Sequence, residues 1–149
     1  MRRKLLCLLA GAVAVPLFAA DLPWITSLPD AQAQAKKENK LVLIDFTGSD
    51  WCESCKELDL EVFDKPQFAK FAKTNLVLVQ VDMPIAKKQS AELEAANQAL
   101  TNRFKVRGFP TLFVLDPGGM AVWTNEGVPD GGLKDVLSKL KKLKKDIKS

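Results

Sequence analysis

The chain has 149 residues, enough for one domain and a leader. Hydrophobic residues make up 47% and charged residues 27%, a globular balance that excludes a disordered or fibrous chain. Of the formal net charge of +4, three units come from Arg2, Arg3 and Lys4; without them 19 basic residues face 18 acidic ones, a net charge of +1, and no nucleic-acid partner is expected.

Residues 1–20 follow the plan of a secretory signal peptide: the three cations, an apolar run over 5–18, and Ala19-Ala20 at the end. Phe18 stands where a small residue is preferred for cleavage after Ala20. A retained anchor is the alternative, but the 16 residues of 5–20 contain Pro16 and fall short of the roughly 20 needed to cross a bilayer. Cys7 as a lipidation site is disfavoured by Leu6 before it. The expectation is export, periplasmic or secreted, with 21–149 as a single domain.

Residues 21–28 form a lead-in containing Trp24. A helix is predicted over 29–39, started by Ser27 or Asp30 and favoured by its alanines. Residues 41–46 are apolar almost throughout, as in a strand covered on both faces. A turn over 47–51 leads into a helix that runs to about Val62. Asp64-Lys65-Pro66 marks a break, with Asp64 able to cap a helical piece over 67–74. A second strand over 76–81 ends at Met83-Pro84, and a polar, alanine-rich helix is predicted over 87–103. A third strand over 111–115, the turn Asp116-Pro117-Gly118-Gly119 and a fourth strand over 120–124 form a hairpin. The last helix begins near Asp130. Seven lysines between 134 and 148 alternate with Val136, Leu137, Leu140, Leu143 and Ile147 at helical spacing, which predicts an amphipathic helix with a solvated lysine face. Phe63, Phe68, Phe71 and Phe104 are spaced as core residues. Strands separated by helices imply parallel pairing, and the hairpin an antiparallel pair, so the fold class is α/β.

The chemistry lies in residues 51–55, Trp-Cys-Glu-Ser-Cys, directly behind the apolar strand. Two cysteines delivered by a strand to the start of a helix read as a dithiol/disulfide couple. One helical turn brings residues three apart side by side, within reach of a disulfide. Cys52 is expected at the helix N-terminus, where free N–H groups and the dipole favour a thiolate, and is the candidate nucleophile. Cys55, a turn deeper, is the candidate resolving thiol. Half a zinc site, or an inert pair, is the alternative. Structural zinc takes four Cys or His ligands; with no histidine and Cys7 as the remaining cysteine, zinc would need a second copy or carboxylates. No metal and no cofactor are expected, because the two sulfurs carry the electrons. Glu53 places a negative charge beside the Cys52 sulfur, and Lys56, directed to solvent, offsets only part of it. A reducing rather than strongly oxidising couple is therefore expected.

Four features in order resemble the thioredoxin family over about residues 30–143: Val42-Leu43-Ile44-Asp45-Phe46, Trp51-Cys52-x-x-Cys55-Lys56, Phe109-Pro110-Thr111, and Gly127 before the final helix. The stretch 46–52 is more similar to exported bacterial thiol:disulfide oxidoreductases, including the reductase domain of the DsbD type. The resemblance implies a thioredoxin-like fold, a central mixed β-sheet flanked by helices. It also implies Cys52 and Cys55 as catalytic residues, a cis bond at Phe109–Pro110 that leaves Phe109 open to pair with substrate, and supporting roles for Trp51 and Asp45. Protein disulfides would be the substrates and a membrane or periplasmic thiol protein the electron donor, with the chain a monomer. There are departures. Glu53-Ser54 replaces Gly-Pro, and Leu78 stands where thioredoxin has a lysine partner for its buried aspartate, so Asp45 is either a proton relay or an aspartate hydrogen-bonded at a strand end. The competing function is a non-catalytic binding module in which the cysteine pair is a structural disulfide.

Overall fold

Side-chain alternation along one strand organises the molecule. In the computed structural model, which describes residues 22–147, strand β2 (Leu41–Thr47) is buried along its whole length. Leu41 and Leu43 point into one cluster with Leu58, Val62, Phe68, Val136 and Leu140. Val42, Ile44 and Phe46 point into a second with Leu28, Ala31, Ala35, Val79 and Val81. Successive residues on a strand face opposite sides, so helices on both faces require a continuous apolar run. The expected leader and Cys7 lie outside the described residues.

Around β2 stand β1 (Trp24–Ile25), α1 (Leu28–Glu38), α2 (Glu53–Leu58), α3 (Pro66–Asn75), β3 (Leu76–Asp82), α4 (Ala91–Arg103), β4 (Thr111–Leu115), β5 (Ala121–Glu126) and α5 (Gly132–Asp146). The five strands lie in the order β1-β3-β2-β4-β5. β3 runs parallel to β1 and β2, while β4 runs antiparallel to β2 and β5. This is the mixed, helix-flanked α/β sheet the pattern implied.

The differences are local. The lead-in contributes β1, too short for a period-two signal; Trp24 packs edge-on against Phe63, centroids 5.0 Å apart. The helix after the cysteines does not continue regularly to Val62. It opens at Asp59–Phe63 into one wide π-helical turn, and the Asp64 N–H closes on the Asp59 carbonyl at 2.8 Å. Asp64 thus ends one helix rather than capping the next; Lys65 starts α3 with Pro66 at its first turn. α4 begins at Ala91, where Ser90 accepts the Leu93 N–H at 3.2 Å, so residues 87–90 of the predicted helix lie instead in the loop that follows β3. In α5, Lys144 is not on a solvated face: it is buried and donates to the Asn39 carbonyl.

Candidate active site

The chain leaves β2 in a turn that its neighbours hold closely. Asp82, opposite Thr47 at the end of β3, accepts the Ser49 N–H at 2.9 Å and the Ser49 hydroxyl at 2.6 Å. The Cys52 N–H donates to the Gly48 carbonyl at 2.9 Å. A side chain at Gly48 would overlap the Trp51 indole, so close approach requires glycine there. The indole N–H donates to the Met83 carbonyl at 2.9 Å and the ring meets Phe109 edge-on at 5.8 Å.

Cys52 occupies the N-cap position of α2, and its Sγ accepts the Cys55 N–H at 3.2 Å. A capping side chain satisfies one of the unpaired N–H groups at a helix start, and here the acceptor is sulfur. Cys52 and Cys55 form a disulfide with Cα atoms 5.2 Å apart, and both are buried, at 4% and 2% exposure. Ser54 Oγ lies 3.5 Å from Cys52 Sγ and donates to the Phe109 carbonyl at 3.4 Å. The Phe109–Pro110 bond is cis, as the resemblance implied. The Pro110 carbonyl accepts the N–H of Gly127, whose φ of 79° is left-handed and favours glycine. Cys52, Cys55, Trp51, Phe109 and Pro110 therefore meet in one place.

Asp45 lies behind them, on the face of β2 that carries Leu43. It is 1% exposed and its Oδ1 has no hydrogen-bond partner. It sits mid-strand between Gln80 of β3 and Leu112 of β4, so it is not an aspartate bonded at a strand end. Leu78, buried in the apolar core, supplies no cation. Desolvation holds the Asp45 carboxyl well above the usual carboxylate range, and the charges of Asp59 and Asp82 push the same way. Asp59, one turn beyond Cys55, is raised to about 6, first by burial and then by Asp64 and Asp82.

Three polar residues carry more of the site than their sequence context suggested. Ser54 links the cysteine turn to the Phe109 carbonyl. Asp50 accepts the N–H groups of Ile85, Ala86 and Lys87 at 3.0, 2.7 and 2.8 Å, bonds that hold its carboxyl below the usual range. Asp59 lies beside apolar Leu58 and Leu60, and the wide turn draws it partly inward. Lys56 is exposed, as expected, and its Nζ lies 2.6 Å from Glu53 Oε1. Glu53 thus brings a paired charge, not a free one, to the Cys52 side of the helix. Among the described residues no three His, Cys, Asp or Glu side chains converge as a metal site requires.

A family model described as a thioredoxin-like domain matches residues 28–141. Disulfide bond reductase DsbH of Chlamydia pneumoniae is 35% identical over 126 residues, 85% of this chain and 75% of that protein. Thiol:disulfide interchange protein DsbD of Haemophilus ducreyi is 38% identical over 96 residues, 64% of this chain but only 15% of that larger protein. A solved structure titled DsbH oxidoreductase superposes with a TM-score of 0.76 at 33% identity, covering 88% of this chain and 90% of that one. A family match over residues 28–141, a superposable fold and a cysteine pair at the start of a helix behind a buried strand lead to one conclusion: the chain belongs to the thioredoxin-like family.

Proposed function

We propose that this thioredoxin-like oxidoreductase is an exported protein-disulfide reductase working through Cys52 and Cys55. The observation that carries the reading is the Cys52 sulfur at the head of α2, accepting the Cys55 N–H with the Ser54 hydroxyl beside it. In the reduced protein these groups and the helix dipole favour a thiolate at that sulfur. The thiolate attacks one sulfur of a substrate disulfide; a Cys52–substrate bond forms and the other substrate sulfur leaves as thiolate. Cys55 then attacks Cys52 Sγ, forms the intramolecular disulfide and releases the second substrate thiol. Two electrons pass from the dithiol to the substrate, and a membrane or periplasmic thiol protein restores them. Trp51 and Phe109 flank the sulfurs, and the Phe109 backbone offers strand-like pairing to the substrate. Burial pushes the Asp45 carboxyl toward its neutral form, which lessens like charge behind the thiolate.

The reducing direction is supported by the charges beside Cys52: Lys56, the cation nearest to it in sequence, is engaged by Glu53. A strong oxidant needs a strongly stabilised thiolate, so the expected potential lies below about −180 mV. Glutathione-buffer equilibration measures it, and insulin reduction measures activity. A value near about −120 mV marks an oxidase. No insulin reduction marks a binding module.

Export rests on the charged and apolar start and the Ala19-Ala20 end. Mass spectrometry of protein recovered from the cell envelope is expected to show a start near Asp21. Intact Met1 in the cytosol refutes export.

A further inference from the structure

The loop 83–88 is clipped to the active-site turn. The Asp50 carboxylate holds three consecutive backbone N–H groups, those of Ile85, Ala86 and Lys87. Lys87 Nζ donates to Ser49 Oγ at 3.2 Å, and the Trp51 indole donates to the Met83 carbonyl. Bonds to an ionised acceptor are among the stronger hydrogen bonds, and these tie the loop to the turn that carries Cys52. A contiguous path leads from the sulfur to the loop: Cys52 to Ser54, Ser54 to Phe109, Phe109 to Trp51, Trp51 to Met83.

What this fixed loop presents is apolar and cationic. Ile85 is 78% exposed, and Trp51 is 43% exposed. Ile85, Lys87 and Lys88 line a recess of about 290 Å³, with Glu94 as its acid. Among the described residues, neither Lys87 nor Lys88 has a carboxylate within ion-pair distance, unlike Lys40 with Glu38 and Lys56 with Glu53. The Asp50 charge is already engaged by three N–H donors. An isoleucine this exposed, on a loop bonded to the active-site turn, beside two cations without ion pairs and one tryptophan away from the reacting sulfur, is suited to a partner segment of complementary chemistry.

We infer that loop 83–88 is a substrate-recognition element of the reductase. It takes a polypeptide segment next to the target disulfide, with an aliphatic side chain against Ile85 and Trp51 and carboxylates toward Lys87 and Lys88. Charge complementarity of this exposed kind acts mainly on association and is screened by salt. The inference rests on the reductase reading, and the test separates the two.

The full reduced chain is given two cyclic disulfide peptides of equal length, one with Leu-Glu-Glu beside the cystine and one with Leu-Lys-Lys, and separately hydroxyethyl disulfide. The readout is the ratio of the two peptide rates, in which any general loss of activity cancels. The acidic peptide is expected to react about fivefold faster at low ionic strength, the ratio falling toward one at high salt. The Lys87→Glu/Lys88→Glu variant is expected to invert the ratio; Lys88→Glu alone, which leaves the Lys87–Ser49 bond in place, is expected to reduce it. A protein that reduces hydroxyethyl disulfide but treats both peptides alike, or a ratio unmoved by either variant, overturns the inference. A wild-type chain that reduces none of the three disulfides overturns the reductase reading instead.

Discussion

Cys52→Ser is expected to abolish disulfide reduction, lowering the rate by at least about 10³-fold, the scale on which loss of an activated nucleophile shows itself. Cys55→Ser is expected to stop turnover as well, yet to accumulate mixed disulfides with substrate. The asymmetry comes from geometry, not from exposure, because the two sulfurs are almost equally buried. Cys52 Sγ is the side chain that caps α2 and accepts the Cys55 N–H, so the helix start stabilises negative charge on that sulfur. Cys55 is already inside the first turn, where the N–H groups point away from its side chain. Trapping is read on non-reducing gels after alkylation. Efficient trapping by Cys52→Ser would reverse the assignment.

Asp45→Ala is expected to stabilise the protein at pH 8, because there the folded chain must either hold a proton that the unfolded chain has released or bury a charge without a cation. The sign follows from its raised pKa. Between the unfolded value and the higher folded value, the native state keeps a proton that the unfolded chain has released. Stability therefore falls as pH rises through this window and is greatest on its acid side. Asp59 acts with the same sign between about pH 4 and about 6. It is half-exposed, so solvent screening limits the contribution to about 1 kcal/mol. The gain from Asp45→Ala is thus expected to shrink toward zero at pH 4. Urea denaturation at pH 4, 6 and 8 reads this directly. A stabilisation equal at all three pH values would show that packing, not ionisation, sets the effect.

Much of this protein is written in local pattern. The unbroken apolar run of β2 implied helices on both faces, and both core clusters are built on it. The three-residue spacing of Cys52 and Cys55 implied a bond across one helical turn, and the disulfide spans it. The spacing of Val136, Leu140 and Leu143 implied the buried stripe of α5. These features follow from the fixed repeats of a strand and a helix, so a single segment carries the information.

Tertiary structure decided the rest. The register of β2 against β3 sets Asp82 opposite Thr47, where it can hold Ser49. The placement of loop 83–88 gives Asp50 partners 35 to 37 residues away. The wide turn after α2 brings Asp59 within electrostatic reach of Asp45. Such contacts join single polar side chains to distant backbone, and they have no period. The sequence shows the groups, but only the packed sheet and its loops determine which of them meet.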